Sequence, residues 1–128
     1  MKKLFTLMLL SATLVMSFSS CSKDEEIVLT QDQVVGTWDV FWAEQNGESM
    51  DVPEGYIYMT IYNNGSYRTN MIYNSYIGTY KISGNTIIGT TLDPITEYYK
   101  FVSLENNKAS IDYSNSVGDK YKFKAVKR

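Results

Sequence analysis

Few of the side chains that perform covalent chemistry occur in this chain. Its 128 residues include no histidine and a single cysteine, Cys21. A histidine-dependent triad, an internal disulfide and a zinc site of histidine and cysteine are therefore excluded. Paired carboxylates could still act as general acid and base, but Asp39, Glu97 and Asp112 lie on different predicted strands, at positions where the alternation points to solvent. We expect no enzyme, no cofactor and no metal.

Cys21 follows a segment typical of protein export. Lys2 and Lys3 precede an apolar stretch over residues 4–18, which together predict a secretory signal peptide over residues 1–20. The apolar stretch is too short to span a bilayer comfortably, since that takes about 20 residues. Small residues precede Cys21, and the sequence Phe-Ser-Ser-Cys resembles the lipobox of bacterial lipoproteins. The resemblance implies cleavage before Cys21 and acylation of its thiol and its new amino group, so that the partner is a membrane. An ordinary signal peptide with an unmodified cysteine is the alternative.

A short acidic segment separates this cysteine from the rest of the chain. It consists of Ser22, Lys23, Asp24, Glu25 and Glu26. The segment resembles the acidic export signal of surface lipoproteins in Bacteroidetes-type bacteria, which implies an outer-membrane protein exposed at the cell surface. The alternatives are a solvated tether and the periplasmic face of the outer membrane. The formal charge of −2 falls to about −4 when Lys2 and Lys3 leave with the leader, so nucleic acid is not an expected partner.

The remaining chain is predicted to be all-β. Thr30 and Gln33 have the spacing of a capping box, which predicts a short helical turn before Gly36. Alternating segments then follow at intervals of 8–12 residues, separated by short turns rich in glycine and asparagine. No segment after the leader has a long helical period, which argues against α/β architectures. The pattern predicts a small antiparallel up-and-down β-barrel of about eight strands, because closing the sheet removes exposed edges.

Gly36 and Trp38 open the first predicted strand. A short turn, a Gly-x-Trp sequence on the first strand and a meander of about eight strands resemble the lipocalin-like domain of small Bacteroidetes-type lipoproteins. The resemblance covers residues 29–128, after a lipidated cysteine and tether at 21–28. It implies that Trp38 closes one end of the barrel and that a basic residue near the last strand, either Lys127 or Arg128, packs over it. The second and third motifs of true lipocalins are not recognisable, and no C-terminal helix follows the last strand.

The interior of an eight-stranded barrel is either filled by side chains or holds one small ligand. Trp42 is expected on the same face as Trp38, nearer the open end. In the first hypothesis, the barrel binds a small apolar or amphipathic ligand. The candidate lining residues are Trp42, Met59, Met71, Tyr80 and Phe101. An enclosed cavity is the condition for this hypothesis.

The rival hypothesis is a filled barrel that binds a partner protein or a surface glycan through its outer face or loops. Tyr56, Tyr58 and Tyr62 share one face of their strand, and tyrosine combines an apolar ring with a polar tip that suits such contacts. The opposite register would place these tyrosines inside.

Lysines 120, 122 and 124 alternate along the last strand, either as a basic stripe that meets an anionic ligand or as a solvated face. A third possibility is an enzyme inhibitor that acts through the loop at residues 48–55. We expect the protein to be a monomer.

Overall fold

A computed structural model describes residues 27–72 and 74–128 of the chain. The predicted signal peptide, Cys21 and the acidic segment from Ser22 to Glu26 lie outside these residues. The elements are α1 (Gln31–Val34), β1 (Gly36–Gln45), β2 (Glu48–Asp51), β3 (Ile57–Ile61), β4 (Ser66–Met71), β5 (Asn74–Ser83), β6 (Thr86–Thr91), β7 (Thr96–Glu105), β8 (Lys108–Asn115) and β9 (Lys120–Lys127). No helix in these two ranges is long and apolar enough to cross a bilayer.

The sheet is antiparallel and closes on itself. Each of β3 to β8 pairs with the next strand, and β1 pairs with both β3 and β9. Eight strands thus form a closed barrel, as predicted, while the ninth, β2, only extends β1 as a hairpin. The two ends of the barrel are defined by their connections. The near end holds α1, the C-terminus and the β3–β4, β5–β6 and β7–β8 turns. The far end holds the remaining five connections.

The near end is plugged by α1 and Trp38. Thr30 and Gln33 form the predicted capping box, in which each side chain accepts a hydrogen bond from the other residue's backbone amide. The helix places Val34 beneath the barrel, where it is fully buried, and its carbonyl accepts a 3.0 Å hydrogen bond from Trp38 Nε1. The Trp38 ring meets Phe101 edge to face, with 5.4 Å between ring centroids. Such aromatic pairs add about 0.5–1.5 kcal/mol beyond the area they bury.

Lys127 is the basic residue that covers Trp38. Its Nζ lies 5.6 Å from the Trp38 ring centroid and donates to the carbonyls of Gln33 (2.9 Å) and Val35 (3.3 Å). Gly36 passes directly beneath this side chain with a φ of +135°, and a Cβ there would lie 2.9 Å from Lys127 Cδ. Glycine is required at this position because of both the backbone angle and the space.

Trp42 lies on the outside of the barrel, so the prediction that it shares a face with Trp38 is wrong. The register between β1 and β9 shifts between Val40 and Trp42, which is a β-bulge that inserts one extra residue. After the bulge, Trp42 pairs with the exposed Lys124, whose Nζ lies 4.6 Å from the Trp42 ring centroid. A second register shift, between Phe101 and Ser103, marks a similar irregularity in β7.

The tyrosine-rich strand β3 has the register in which Ile57, Met59 and Ile61 point inward. All three are buried. The tyrosines of the other face are outside: Tyr56 is 52% exposed, and Tyr58 is half-buried. The outer-face alternative for these tyrosines is therefore the observed one.

Candidate functional site

The inside of the barrel is filled. The void between Met59, Met71, Tyr99 and the apolar residues around them has a volume of about 10 Å³, about the space of one water molecule. Small-molecule pockets typically measure about 300–1,000 Å³. The first hypothesis required an enclosed cavity, and the described barrel offers no ligand-sized space around these residues.

The five predicted lining residues do not meet around a common space. Met59 is buried and Met71 is half-buried, and both border the small void. Phe101 is fully buried against Trp38. Tyr80 lies toward the near end, where its hydroxyl donates to the Tyr62 carbonyl at 2.7 Å. Trp42 is outside, as described above.

Side chains that surround a buried carboxylate occupy much of the barrel interior. Glu97 is fully buried and points inward from β7. It accepts hydrogen bonds from the hydroxyls of Tyr67 at 2.6 Å and Tyr113 at 2.7 Å. Beside them, the Tyr99 hydroxyl donates to Thr69 Oγ1 at 3.0 Å. A buried carboxylate needs such partners, since leaving one unpaired costs several kcal/mol.

Gly89 makes room for one of these rings. A Cβ on Gly89 would lie 2.3 Å from Cζ of Tyr67, so the ring crosses β6 where that strand has no side chain. The Tyr67 hydroxyl then reaches Glu97 across the interior. The glycine therefore belongs to the core packing and not to a turn.

The sequence predicted the wrong face of the strand for Glu97 and the wrong exposure for Asp39. Glu97 and Asp39, expected at solvent-facing positions, are 0% and 4% exposed. Asp39 points outward but is covered by the loop after β2, where it accepts a hydrogen bond from the Gly55 amide at 3.0 Å and pairs with Arg128 at 3.4 Å. Within the described ranges, acidic side chains form no group able to hold a metal ion.

One candidate site is an open groove of about 490 Å³ on the outer face of β6 to β9 and β1. A second open groove, around Phe41, Ser103 and Lys108, measures about 570 Å³. We call the first of these the groove, and one row of directly opposed residues crosses it from strand to strand: Thr86, Lys100, Asp112, Lys122 and Glu44. A second row, toward the far end, contains Tyr98, Ser114 and Lys120. Gln45 and Asn46 border the groove where β1 ends.

The groove combines positive charge with an exposed aromatic ring. Lys100 and Lys122 stand directly opposite Asp112 on either side, an arrangement that holds the three side chains near one another. Lys120 adds a third ammonium group, so the groove has three lysines against two acids although the whole chain is acidic. Tyr98 is 40% exposed and offers an apolar face. The groove can therefore bind a polar, negatively charged molecule that also has an apolar side.

The last strand supplies two of these lysines because of its alternation. Phe123 is buried and Tyr121 is half-buried, while Lys120, Lys122 and Lys124 are exposed. Sequence alone predicted this stripe but left open whether it faces a ligand or only solvent. The groove itself was missed, because the row across five strands exists only once their registers are known.

The buried tyrosines make the free energy of unfolding fall as the pH rises through the alkaline range. Burial, together with the Glu97 carboxylate, raises the pKa of Tyr67, Tyr99 and Tyr113 well above the usual value near 10. The stabilisation is complete below about pH 10, where the tyrosines of the unfolded chain are still protonated. Above it, we expect the unfolding free energy to fall by up to about 1.4 kcal/mol per pH unit for each of these tyrosines.

Urea unfolding between about pH 9 and 11.5 measures this slope. The variant Tyr67→Phe should remove about one third of it, whereas Tyr62→Phe, at an exposed position, should leave it unchanged. Stability that stays constant across this range would contradict the buried cluster.

The family profile of the lipocalin-like domain matches residues 34–111, more than half of the chain. The crystal structure of an uncharacterized protein from Bacteroides eggerthii is similar, with a TM-score of 0.57 and 16% identity over 74% of this chain and 99% of that chain. At this identity the likeness concerns the fold alone. No curated protein sequence matches significantly. With a closed eight-stranded barrel and a profile match over most of it, the chain belongs to the lipocalin-like domain family.

Proposed function

We propose that this protein is a lipid-anchored, non-enzymatic binding protein of the outer membrane that binds its ligand on the outer face of the barrel. The lipobox-like sequence before Cys21 and the acidic segment after it support the anchor and the surface location. Anchoring by several acyl chains is stable, since each buried CH₂ contributes about 0.8 kcal/mol. The barrel then acts as a rigid support for the surface that binds.

One observation carries the choice of the outer face: the interior void of about 10 Å³ against an outer groove of about 490 Å³. A small apolar ligand could enter the barrel only by displacing packed side chains such as Met59 or Phe101. Truncating a buried side chain of this kind typically costs about 2–5 kcal/mol, and displacing it removes the same contacts. The interior carrier is therefore the weaker proposal.

The ligand class that fits the groove best is an acidic saccharide. Its carboxylates would meet the ammonium groups of Lys100, Lys120 and Lys122. Its hydroxyls would pair with Asp112 and with the amides at the end of β1, while the less polar face of a sugar ring would pack on Tyr98. Aromatic rings with nearby polar groups give both affinity and orientation in such sites.

The anchor has a direct test. We expect the variant Cys21→Ser, expressed in a Bacteroides host, to lose incorporation of radiolabelled palmitate and to leave the membrane fraction, because the thiol is the proposed acylation site. Ser22→Ala is the matched control and should remain labelled and membrane-bound. Palmitate incorporation that survives Cys21→Ser would refute the anchor.

The groove is tested with a defined acidic probe. We expect a galacturonate hexamer to bind the protein in isothermal titration calorimetry, whereas the neutral maltohexaose should not bind measurably. Tyr98→Ala and Lys122→Ala should each weaken galacturonate binding by about tenfold, or about 1.4 kcal/mol. Tyr62→Ala is the control, since Tyr62 is equally exposed at 41% but lies elsewhere on the barrel. Equal binding of both saccharides, or an equal loss in the control variant, would contradict the site.

A further inference from the structure

Exposed apolar side chains gather at the far end of the barrel. We call this surface the far rim and define it as residues 46–56, 72, 92–95 and 116–119. It includes Met50 (52% exposed), Tyr56 (52%), Ile72 (41%), Leu92 (78%) and Val117 (65%). The turns at the near end are instead rich in asparagine and glycine, and the large exposed apolar residues described at that end are Val28 (73%) and Tyr62 (41%). Clustering of this kind marks an interaction surface more than scattered single residues do.

The loop that carries Leu92 is rigidly held. Thr91 is buried, and its Oγ1 accepts hydrogen bonds from the amides of Asp93 at 3.3 Å and Ile95 at 2.9 Å. The Leu92 amide itself donates to the Ile77 carbonyl at 3.1 Å. Leu92 is thus presented to solvent by a fixed backbone, which lowers the entropy that binding would remove.

The loop that carries Val117 is held in the same way by Asn115. Asn115 Oδ1 accepts hydrogen bonds from the amides of Val117 at 3.1 Å and Asp119 at 3.0 Å. Its Nδ2 donates to the Tyr113 hydroxyl at 3.0 Å, which links the loop to the buried Glu97 cluster. The core therefore fixes the position of this part of the far rim.

Ile72 has a backbone conformation that isoleucine rarely adopts. Its φ is +59°, which is strained for a β-branched residue. Its amide donates to the Tyr56 carbonyl at 2.9 Å, and Asn70 Nδ2 donates to the same carbonyl at 2.8 Å. These bonds place the exposed side chains of Ile72 and Tyr56 on adjoining loops. A two-residue connection such as that between Met71 and Asn74 commonly requires a positive φ, and it presents the Ile72 side chain to solvent.

Charge distinguishes the two ends of the barrel. The exposed charged residues of the far rim are acidic: Glu48, Asp51, Glu54, Asp93 and Asp119. The described charged residues of the near end are mixed: Lys108, Lys127 and Arg128, which pairs with Asp39, beside Asp32 and Glu105. A partner of the far rim must therefore present basic groups around an apolar surface, because like charges would oppose association.

We infer that the far rim docks a partner protein whose contact surface carries apolar side chains surrounded by lysine or arginine. The orientation of the barrel supports a protein rather than the protein's own membrane, and this step rests on the proposed anchor. The Leu29 amide donates to the Gly84 carbonyl at 2.9 Å, which places the start of the barrel at the near end. Cys21 is eight residues earlier, a reach of at most about 29 Å. An anchored chain is thus joined to the membrane through its near end, and the acidic far rim is disfavoured beside anionic lipid headgroups.

Photo-crosslinking of the full-length protein in living host cells tests this docking surface. A benzophenone amino acid is placed at Leu92, at Val117 or, as the near-end control, at the exposed Lys108. We expect a discrete protein adduct from the two far-rim positions and none from Lys108. Mass spectrometry of the adduct should identify a crosslinked peptide that contains both lysine or arginine and apolar residues.

The charge requirement is tested in the same cells. Asp93→Lys combined with Glu54→Lys should lower the adduct yield from Leu92 at least fivefold, whereas Glu105→Lys at the near end should not change it. The inference would be overturned by adducts with phospholipid, by equal adducts from Lys108 or by the absence of any adduct. An adduct yield that Asp93→Lys and Glu54→Lys leave unchanged would also overturn it. Palmitate labelling of the same cells reports separately whether the anchor is present, so failure of the anchor and failure of the docking surface are distinguishable.

Discussion

The hydrogen bonds from Tyr67 and Tyr113 to the Glu97 carboxylate determine what the inside of this barrel can contain. A carboxylate on an inward position of a closed barrel has no access to water, so it must be paired within the protein. Tyrosine meets this need from two directions: Tyr67 reaches across the interior from β4, and Tyr113 reaches from the neighbouring strand β8. Gly89 leaves the space for one ring. The same rings that satisfy the carboxylate occupy the volume that a ligand would need.

With the barrel filled, the proposed binding surface is on its outside, and the closed sheet makes that surface rigid. The β1–β9 pairing brings Glu44 into line with Lys122 and Asp112, so that residues distant in sequence form one row across the groove. The plug of α1 and Trp38 fixes the near end, where the chain leaves toward its proposed anchor. The far end remains free to carry loops whose conformations are tied to the core through Asn115 and Thr91. Packing inside the barrel therefore fixes the positions of the strands and loops that form its outer surface.

Much of the fold could be predicted from the sequence, because alternation along a strand directly reports which residues face inward. The inward set of β3 and the capping box of α1 follow from such local patterns. Trp42 was misplaced because a bulge at Phe41 adds one residue without disturbing a run that is apolar on both faces. Glu97 was misplaced because its burial depends on two tyrosines from other strands, which no local pattern reveals. The groove depends on register across five strands, which is likewise a long-range property.

The central claim, that the barrel is filled and binds on its outside, is tested most directly by titrating the purified protein with a fluorescent fatty acid. The account predicts no saturable binding, since the void between Met59 and Tyr99 holds about 10 Å³. Saturable binding of one fatty acid per barrel, abolished when Met59→Trp fills the remaining space, would contradict the account and restore an interior carrier.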